Sequence, residues 1–223
     1  MSIMNSGVDV AAVAATAKVP RGGASKRFFD IIVASALLFA LLPLMLFVAL
    51  VIFSSERGSV LYGHSRIGYK GRKFRCLKFR SMVPDADKVL AEHLSSSPTA
   101  KAEWDATQKL RNDPRITPVG RFLRTTSLDE LPQLINVVRG DMSLVGPRPI
   151  VQAEVDRYGN HIHAYTSTRP GITGLWQVSG RSDVDYDRRV SLDTHYVSNW
   201  SLPGDLLILI RTVKVVFSQS GSY

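Results

Sequence analysis

The chain has almost no sulfur chemistry available to it. Cys76 is the only cysteine among 223 residues, so no disulfide can form within the chain and no zinc site can be built from cysteines. The sequence also lacks both common nucleotide-binding fingerprints, a GxxxxGK[ST] loop and a GxGxxG turn after a strand. These absences exclude a disulfide-stapled secreted domain and argue against ATP-type and Rossmann dinucleotide binding.

Acidic residues are scarce in one part of the chain. Residues 57 to 80 hold eight basic residues and no acidic residue. Residues 21 to 80 hold 11 basic and two acidic residues, whereas the remaining 163 residues hold 17 of each. The net charge of +9 therefore belongs to one segment, and a uniformly basic surface is excluded.

Charge of either sign is missing from Ile31 to Phe53, a run of 23 residues. A straight helix of this length measures roughly 35 Å, enough to cross a hydrocarbon core of about 30 Å. Pro43 interrupts the run and basic residues flank both of its ends. Because a proline breaks or kinks a helix and cations mark the cytoplasmic side, we expect a re-entrant helix-break-helix. A spanning helix with a proline kink is the alternative.

The rest of the sequence predicts one globular unit. We expect a mobile leader over residues 1 to 24, the membrane element over residues 25 to 56, and a cytoplasmic domain over residues 57 to 223. In that domain, Ser59 to Ile67 and Lys73 to Met82 have strand character and are joined by GYKGR, which favours a β-hairpin.

Helical patterns dominate the remainder, and the predicted fold is therefore a membrane-associated mixed α/β fold that is mostly helical. Polar helical stretches follow the hairpin and the pattern resumes from Gly120. The run from Leu206 to Phe217 is apolar except for Arg211 and Lys214. It suits a C-terminal helix in the bilayer interface and, equally well, an edge helix of the protein core.

The sharpest short motif is Ser127-Leu128-Asp129-Glu130. A serine followed three residues later by a glutamate is typical of a capping box at a helix start. The same segment could supply a carboxylate nucleophile, Asp129, beside a metal ligand, Glu130. A helix N-terminus would lower the pKa of Asp129 and keep it in the ionised form that can attack phosphorus.

Three arginines near this motif suit a diphosphate ligand. Arg124 precedes Asp129 by five residues, Arg148 lies in GPRP, and Arg169 opens RPGITGLWQ. Prolines on either side fix the backbone around an arginine, so less entropy is lost when the guanidinium binds phosphate oxygens. A rigid loop without a ligand is the alternative interpretation of these tracts.

The cations that follow the apolar run allow two ligands. Aromatic residues lie among them, a pattern found in nucleic-acid binding proteins. Their place directly after a membrane segment favours anionic lipid headgroups, to which each cation contributes about 1 kcal/mol. A membrane-anchored cationic module that binds anionic lipid or nucleic acid is therefore an alternative to an enzyme.

Five motifs together resemble the bacterial sugar transferase family, the monotopic polyprenyl-phosphate phosphoglycosyl transferases. The likeness extends over about residues 26 to 217 and is strongest to the short succinoglycan-type galactosyl-phosphate transferases of exopolysaccharide synthesis. The motifs are KRFFD (Lys26 to Asp30), RIGYKGRKFRCLKFRSM (Arg66 to Met82), LRTTSLDELPQLINVVRGDMSLVGPRP (Leu123 to Pro149), RPGITGLWQVSGR (Arg169 to Arg181) and DTHYVSNWSL (Asp193 to Leu202).

The resemblance implies an undecaprenyl-phosphate hexose-1-phosphate transferase at the cytoplasmic face of the bacterial inner membrane. Such an enzyme passes galactose-1-phosphate or glucose-1-phosphate from a UDP-sugar to undecaprenyl phosphate, releases UMP and initiates exopolysaccharide repeat units. It implies that Asp129 forms a covalent phosphosugar intermediate and that Glu130 helps to hold Mg²⁺. The implied partners are the UDP-sugar, undecaprenyl phosphate and anionic lipid, with no nucleic acid; the residues themselves distinguish neither the donor sugar nor an oligomeric state.

The resemblance also suggests roles for the basic residues. Arg148 would contact phosphate, and Arg124 would help to fix the re-entrant geometry. Lys78 and Arg80, within KFRSM, are assigned to the rim of the active site, facing the polyprenyl phosphate or the donor diphosphate. One departure from the family pattern is Leu42-Pro43 where members usually have Ser-Pro. Without the serine hydroxyl, the carbonyls freed by the proline have one fewer donor, which makes a less sharp break.

Overall fold

The long apolar run forms most of one helix. The computed structural model describes residues 19–55, 58–107, 109–180 and 184–217. Helix α1 runs over Gly23–Ser55 and is, among these residues, the one helix long and apolar enough to cross a membrane by length and composition. Its helical backbone continues through Pro43, so the break expected there is not confirmed and the re-entrant path stays a prediction. Most of the predicted leader, together with Arg57 and Arg181 of the basic motifs, lies outside the described residues.

One face of α1 is buried from its first turn to its last. Half-buried Leu38 and Leu41 connect the buried residues of the first half of the helix to those of the second. Spacings of three and four residues place all of these on a single face. The other faces expose large apolar side chains, among them Phe39, Phe47 and Phe53. Helix α1 therefore packs along the protein over its whole length and leaves an apolar surface uncovered. The buried residues are Lys26, Asp30, Ala34, Met45, Val48 and Ile52.

The predicted β-hairpin is confirmed. Strands β1, Leu61–Ile67, and β2, Lys73–Phe79, pair in antiparallel register through a tight turn at Tyr69–Gly71. Arg66 lies opposite Phe74 and His64 lies opposite Cys76. Because side chains alternate between the two faces of a strand, Arg66 and Lys78 share one face of the hairpin with His64, and Lys73 and Arg75 lie on the other.

Helices make up most of the remaining structure, as the sequence predicts. Short 3-10 turns connect several of them, including the turn at Leu128–Glu130 that carries the acidic pair. The helices are α2 (Ala86–Ser96), α3 (Pro98–Thr107), α4 (Pro118–Thr125), α5 (Gln133–Arg139), α6 (Val155–Tyr158), α7 (Ile162–Thr166), α8 (Tyr186–Ser198) and α9 (Leu202–Phe217).

A second sheet lies where the sequence indicates only loops rich in proline and glycine. Strands β3, Ser143–Val145, and β4, Gly171–Thr173, pair in parallel. Three residues are too few to show an alternating pattern, which is why the sequence gives no strand signal here. Glycine allows the close backbone approach, since a Cβ on Gly171 would lie 2.1 Å from the backbone nitrogen of Gly146.

Helix α9 contributes to the core and also carries an uncovered apolar face. Asp205 and Ile208 are buried, whereas Leu206, Ile210 and Val213 are exposed. One face therefore packs as an edge helix of the core, as one interpretation expects. The opposite face is apolar and exposed, and its place in a bilayer interface stays a prediction.

Polar contacts fix the first turns of α1 to the core. Lys26 forms a buried ion pair with Asp205, with Nζ 2.5 Å from Oδ2. Arg27 donates to the carbonyl oxygens of residues 137 and 138 at the end of α5, and Asp30 accepts from Ser143 Oγ and from the backbone nitrogen of Leu144. The KRFFD motif therefore attaches the membrane helix to α9, α5 and β3.

Candidate active site

The acidic pair occupies a turn rather than a helix start. Asp129 and Glu130 lie in the 3-10 turn between α4 and α5, and α5 begins only at Gln133. Ser127 has a left-handed backbone with φ of +57° and makes no capping hydrogen bond, so the predicted capping box is wrong. A left-handed residue other than glycine is strained, and such strain collects at functional sites.

Lys78 connects the two carboxylates. Its Nζ lies 2.7 Å from Oε1 of Glu130 and 3.7 Å from Oδ2 of Asp129. The Asp129 side chain is only 8% exposed, whereas that of Glu130 is 25% exposed. The hairpin therefore supplies the counter-charge that allows two acids to lie side by side, and it leaves Glu130 the more accessible of the two.

The surroundings separate the proton affinities of the pair. Burial raises the pKa of Asp129, and the charge of Glu130 adds to this, against opposing effects of Lys78 and Arg124. Burial also acts to raise the pKa of Glu130, but attraction to Lys78 and Arg148 outweighs it and the pKa is lowered. The expectation of a lowered pKa for Asp129 is therefore wrong, because the carboxylate is desolvated and no helix starts beside it. Such separation typically marks two carboxyls with different tasks.

Helix α4 places Arg124 next to Asp129. Thr117 caps α4 by accepting from the backbone nitrogen of Gly120 at 2.9 Å. Gly120 packs so closely on Ser81 that a Cβ would lie 2.0 Å from the Ser81 carbonyl oxygen. One turn later, Arg124 Nε donates to Ser81 Oγ at 2.8 Å. The segment after the hairpin thereby fixes both α4 and the guanidinium that faces Asp129.

A cleft opens beside Glu130 between the hairpin and the loop that follows β3. Alternation along β1 and β2 places His64, Arg66 and Lys78 on the face that borders it. Arg148 is exposed, as expected for a residue between two prolines on a loop. The lining residues are His64, Arg66, Cys76, Lys78, Glu130, Gln133, Arg148, Pro149 and Ile172.

The structure brings most of the predicted site residues together. Lys78, Arg124 and Arg148 all surround the acidic pair. Arg169 does not line the cleft: its Nε donates to the carbonyl oxygen of Gly140 at 2.8 Å, at the end of α5. The guanidinium of Arg80 lies against the backbone at residue 58. Substrate-binding roles for these last two arginines stay predictions.

Sequence reasoning assigned no role to six of the nine lining residues, Arg66 and Gln133 among them. Both had a signal available. Arg66 is on the hairpin face shared with Lys78, which the alternation of an antiparallel pair predicts once the register is known. Gln133 ends the motif SLDELPQ, and the first turn of α5 directs it to the cleft.

The carboxylates suit a cation that also binds substrate. Within the described ranges, no group of three or more histidine, cysteine, aspartate or glutamate side chains forms a complete metal site. Mg²⁺ is commonly held by one or two carboxylates, with substrate phosphate oxygens and water completing the shell. Glu130, ionised and partly exposed at the cleft, fits such an arrangement.

Comparison with known proteins gives a consistent match. The sequence profile of a family described as bacterial sugar transferase matches residues 22–219. The exopolysaccharide production protein ExoY of Sinorhizobium fredii is 53% identical over 204 residues, which are 92% of this chain and 90% of that protein. The undecaprenyl-phosphate galactose phosphotransferase of Salmonella typhimurium is 54% identical over 198 residues, or 89% of this chain and 41% of that protein. The UDP-glucose:undecaprenyl-phosphate glucose-1-phosphate transferase of Escherichia coli is 39% identical over 207 residues, which are 89% of this chain and 41% of that protein. The chain thus spans nearly all of the first protein and about two fifths of the other two.

Proposed function

Because the chain belongs to the bacterial sugar transferase family, we propose that it transfers hexose-1-phosphate from a UDP-sugar to undecaprenyl phosphate and releases UMP. The donor is UDP-galactose or UDP-glucose, the sugars that appear in the names of its relatives. The observation that carries the proposal is the acidic pair bridged by Lys78 at a cleft lined with arginines. A membrane-anchored cationic binding module would leave this pair without a purpose.

The reaction proceeds by two displacements at the same phosphorus. An Asp129 carboxylate oxygen attacks the β-phosphorus of the donor, the bond from that phosphorus to the bridging oxygen breaks, and UMP leaves with the electron pair. A phosphate oxygen of undecaprenyl phosphate then attacks the aspartyl phosphosugar and frees the Asp129 carboxylate. Division into two steps lets one polar site serve a soluble donor and then a lipid acceptor.

The basic residues make the approach of like charges possible. Lys78 offsets the charge of both carboxylates, and Arg148 and Arg124 lie on either side of the pair. Glu130, together with the donor diphosphate, would hold Mg²⁺. When bound, that ion neutralises phosphoryl oxygens and lowers the cost of attack by an anion. Asp129 must be ionised to attack, so its raised pKa predicts that activity falls on the acidic side.

The membrane element is proposed to be monotopic, entering and leaving at the cytoplasmic face of the inner membrane. Support comes from α1, whose first turn pairs with Asp205 and whose last turn packs with Phe79 and Leu123. Both ends contact one globular unit, which is difficult to reconcile with ends on opposite sides of a bilayer. The uncovered apolar faces of α1 and α9 would then lie in the lipid, and the exposed cations of the hairpin would face anionic headgroups.

The transfer is tested with radiolabelled donors. Purified protein in detergent is incubated with undecaprenyl phosphate, Mg²⁺ and either UDP-galactose or UDP-glucose labelled in the sugar, and the lipid extract is counted. Label should enter the lipid fraction from one of the two donors, with one UMP released per transfer. Asp129→Asn should abolish both signals. Failure of every common UDP-hexose to label the lipid would contradict the proposed activity.

The topology is tested by thiol labelling at the two ends of α1. Ser25 and Ser55 are exposed, and the single native cysteine, Cys76, is buried and gives a low background. Ser25→Cys and Ser55→Cys should both resist an impermeant reagent added outside intact cells and both react after permeabilisation. Labelling of exactly one of them from outside would indicate a spanning helix.

A further inference from the structure

The cleft beside Glu130 contains a cationic side chain, Arg66, that has no part in the proposed chemistry. Arg66 is near the end of β1, and its Nη1 donates to the carbonyl oxygen of Pro149 at 3.1 Å. Pro149 directly follows Arg148, so this hydrogen bond brings the two guanidiniums to the same part of the cleft. Both residues line it together with Glu130.

Backbone contacts fix the hairpin against the loop that carries Arg148. The backbone nitrogen of Ile67 donates to the carbonyl oxygen of Ile150 at 2.9 Å. The hydroxyl of Tyr165, which is buried, donates to the Ile67 carbonyl at 2.7 Å and accepts from the Ile150 nitrogen at 3.1 Å. The backbone that carries Arg66 is therefore fixed relative to the loop that carries Arg148.

The two arginines are close enough for their positive charges to act on each other. Burial lowers the pKa of Arg66, and the nearby charge of Arg148 lowers it further. Arg66 pairs with Glu154, whose Oε2 lies 3.8 Å from Nη1 and also accepts from the Val151 nitrogen at 2.9 Å. Within the part of the chain that the structure describes, Arg148 forms no ion pair or side-chain hydrogen bond.

The side-chain amide of Gln133 lies in the same cleft. Gln133 is 3% exposed and lines the cleft, and among the described residues its side chain makes no hydrogen bond. Its amide nitrogen and oxygen are not among the fully buried atoms that lack a partner, so they remain accessible from the cleft and can bind a ligand there. Two adjacent guanidiniums and an unpaired amide are groups that a polar dianion would satisfy, and a guanidinium binds phosphate oxygens in bidentate fashion.

We propose that Arg66 and Arg148 form a two-arginine clamp for the diphosphate of the donor nucleotide. Arg148 then serves the β-phosphoryl group that Asp129 attacks, and Arg66 binds the α-phosphate, which stays with the departing UMP. Arg66 is a donor-binding residue with no part in bond making. The inference rests on the proposed function, to which it adds the site of the nucleotide diphosphate.

The direct test is UDP binding, which requires no turnover. Arg66→Met is compared with Arg75→Met, a matched control on the same hairpin that removes the same charge from an exposed position on the opposite face. Binding of UDP with Mg²⁺ to the detergent-solubilised protein is followed by titration calorimetry. A charge-assisted contact is worth about 1.5–3 kcal/mol, so Arg66→Met should weaken UDP binding roughly 10-fold to 100-fold. Arg75→Met should change it less than about two-fold.

Kinetics separate this role from a structural one. Arg66→Met should raise KM for the UDP-sugar and leave KM for undecaprenyl phosphate unchanged. Arg66→Lys keeps a donor near Pro149 but loses the planar fork, so it should fold as the wild type does and still bind UDP more weakly. Wild-type UDP affinity in both Arg66 variants, or equal losses in Arg66→Met and Arg75→Met, would overturn the clamp. If the wild type binds UDP through Arg66 but transfers no sugar, the proposed function fails and the clamp survives.

Discussion

Replacing Asp205 with alanine tests whether the membrane helix is attached to the core by a buried charge. Asp205 is fully buried and accepts from Lys26 at 2.5 Å, from the Tyr196 hydroxyl at 2.7 Å and from Trp200 Nε1 at 3.0 Å. Lys26 is itself 4% exposed. The substitution therefore leaves an ammonium group buried without a counter-charge. The Trp200 indole also loses its acceptor, whereas the Tyr196 hydroxyl keeps the Val145 carbonyl oxygen at 3.0 Å.

The expected loss of stability in Asp205→Ala is large for a single substitution. Removing one partner of a buried ion pair costs about 3–5 kcal/mol, because the remaining charge is desolvated and unpaired. For a domain of this size each kcal/mol lowers Tm by about 2–4 °C, so Asp205→Ala should lower Tm by roughly 6–20 °C. The double variant Lys26→Met/Asp205→Leu removes both charges. It should lose much less stability than Asp205→Ala alone, since apolar replacement of a buried pair is often nearly neutral.

Thermal unfolding in detergent, followed by circular dichroism, measures these differences. Glu92→Ala is the matched control, because its partner Lys88 is an exposed neighbour at 4.0 Å on α2, and such pairs contribute only about 0.3–0.5 kcal/mol. The reasoning is refuted if Asp205→Ala lowers Tm by no more than Glu92→Ala does. It is also refuted if the double variant lowers Tm by the sum of the decreases caused by the separate substitutions at Lys26 and Asp205. Such additivity would mean that the two charges are uncoupled.

Three further predictions follow from the site and the core. Lys78→Met removes the charge that opposes the raised pKa of Asp129, so the acidic limb of the pH profile of UMP release should move to higher pH; an unmoved limb would contradict the assignment. Gly120→Ala places a Cβ 2.0 Å from the Ser81 carbonyl oxygen and should lower the free energy of unfolding by about 1–3 kcal/mol. Chemical unfolding measures this change, and wild-type stability in the variant would contradict the close packing. Burial raises the pKa of Asp193 to about 7, so the folded protein keeps a proton that the unfolded chain loses near pH 4. Stability should therefore fall as pH rises from about 4 to about 7, and Asp193→Asn should remove this fall; an unchanged pH profile in that variant would exclude Asp193 as its source.

The elements with a strong local signal could be predicted from the sequence. The 23 uncharged residues within α1 and the two glycines of the turn between β1 and β2 determine their elements by composition and spacing. The parallel pairing of β3 with β4 could not be predicted, because three-residue strands show no period and their pairing depends on contacts between distant parts of the chain.

The sequence motifs indicate part of the candidate site, but not its electrostatics. Asp129, Glu130 and Lys78 are together as the motifs indicate. The helix start assumed at Ser127 is absent, because the left-handed backbone there turns the chain before α5 begins. The pKa of Asp129 then depends on burial against the hairpin. The hairpin and Asp129 are about 50 residues apart in the sequence, so a short motif does not predict that they pack together.

The most direct test of the central claim is the mass of the intact protein after exposure to the donor alone. Without undecaprenyl phosphate the first displacement can occur and the second cannot, so the protein should gain the mass of one hexose-1-phosphoryl group, a hexose phosphate less one water. Peptide mapping should place the adduct on Asp129, and Asp129→Asn should gain none. Undiminished sugar transfer by Asp129→Asn, or an adduct on any other residue, would contradict the account.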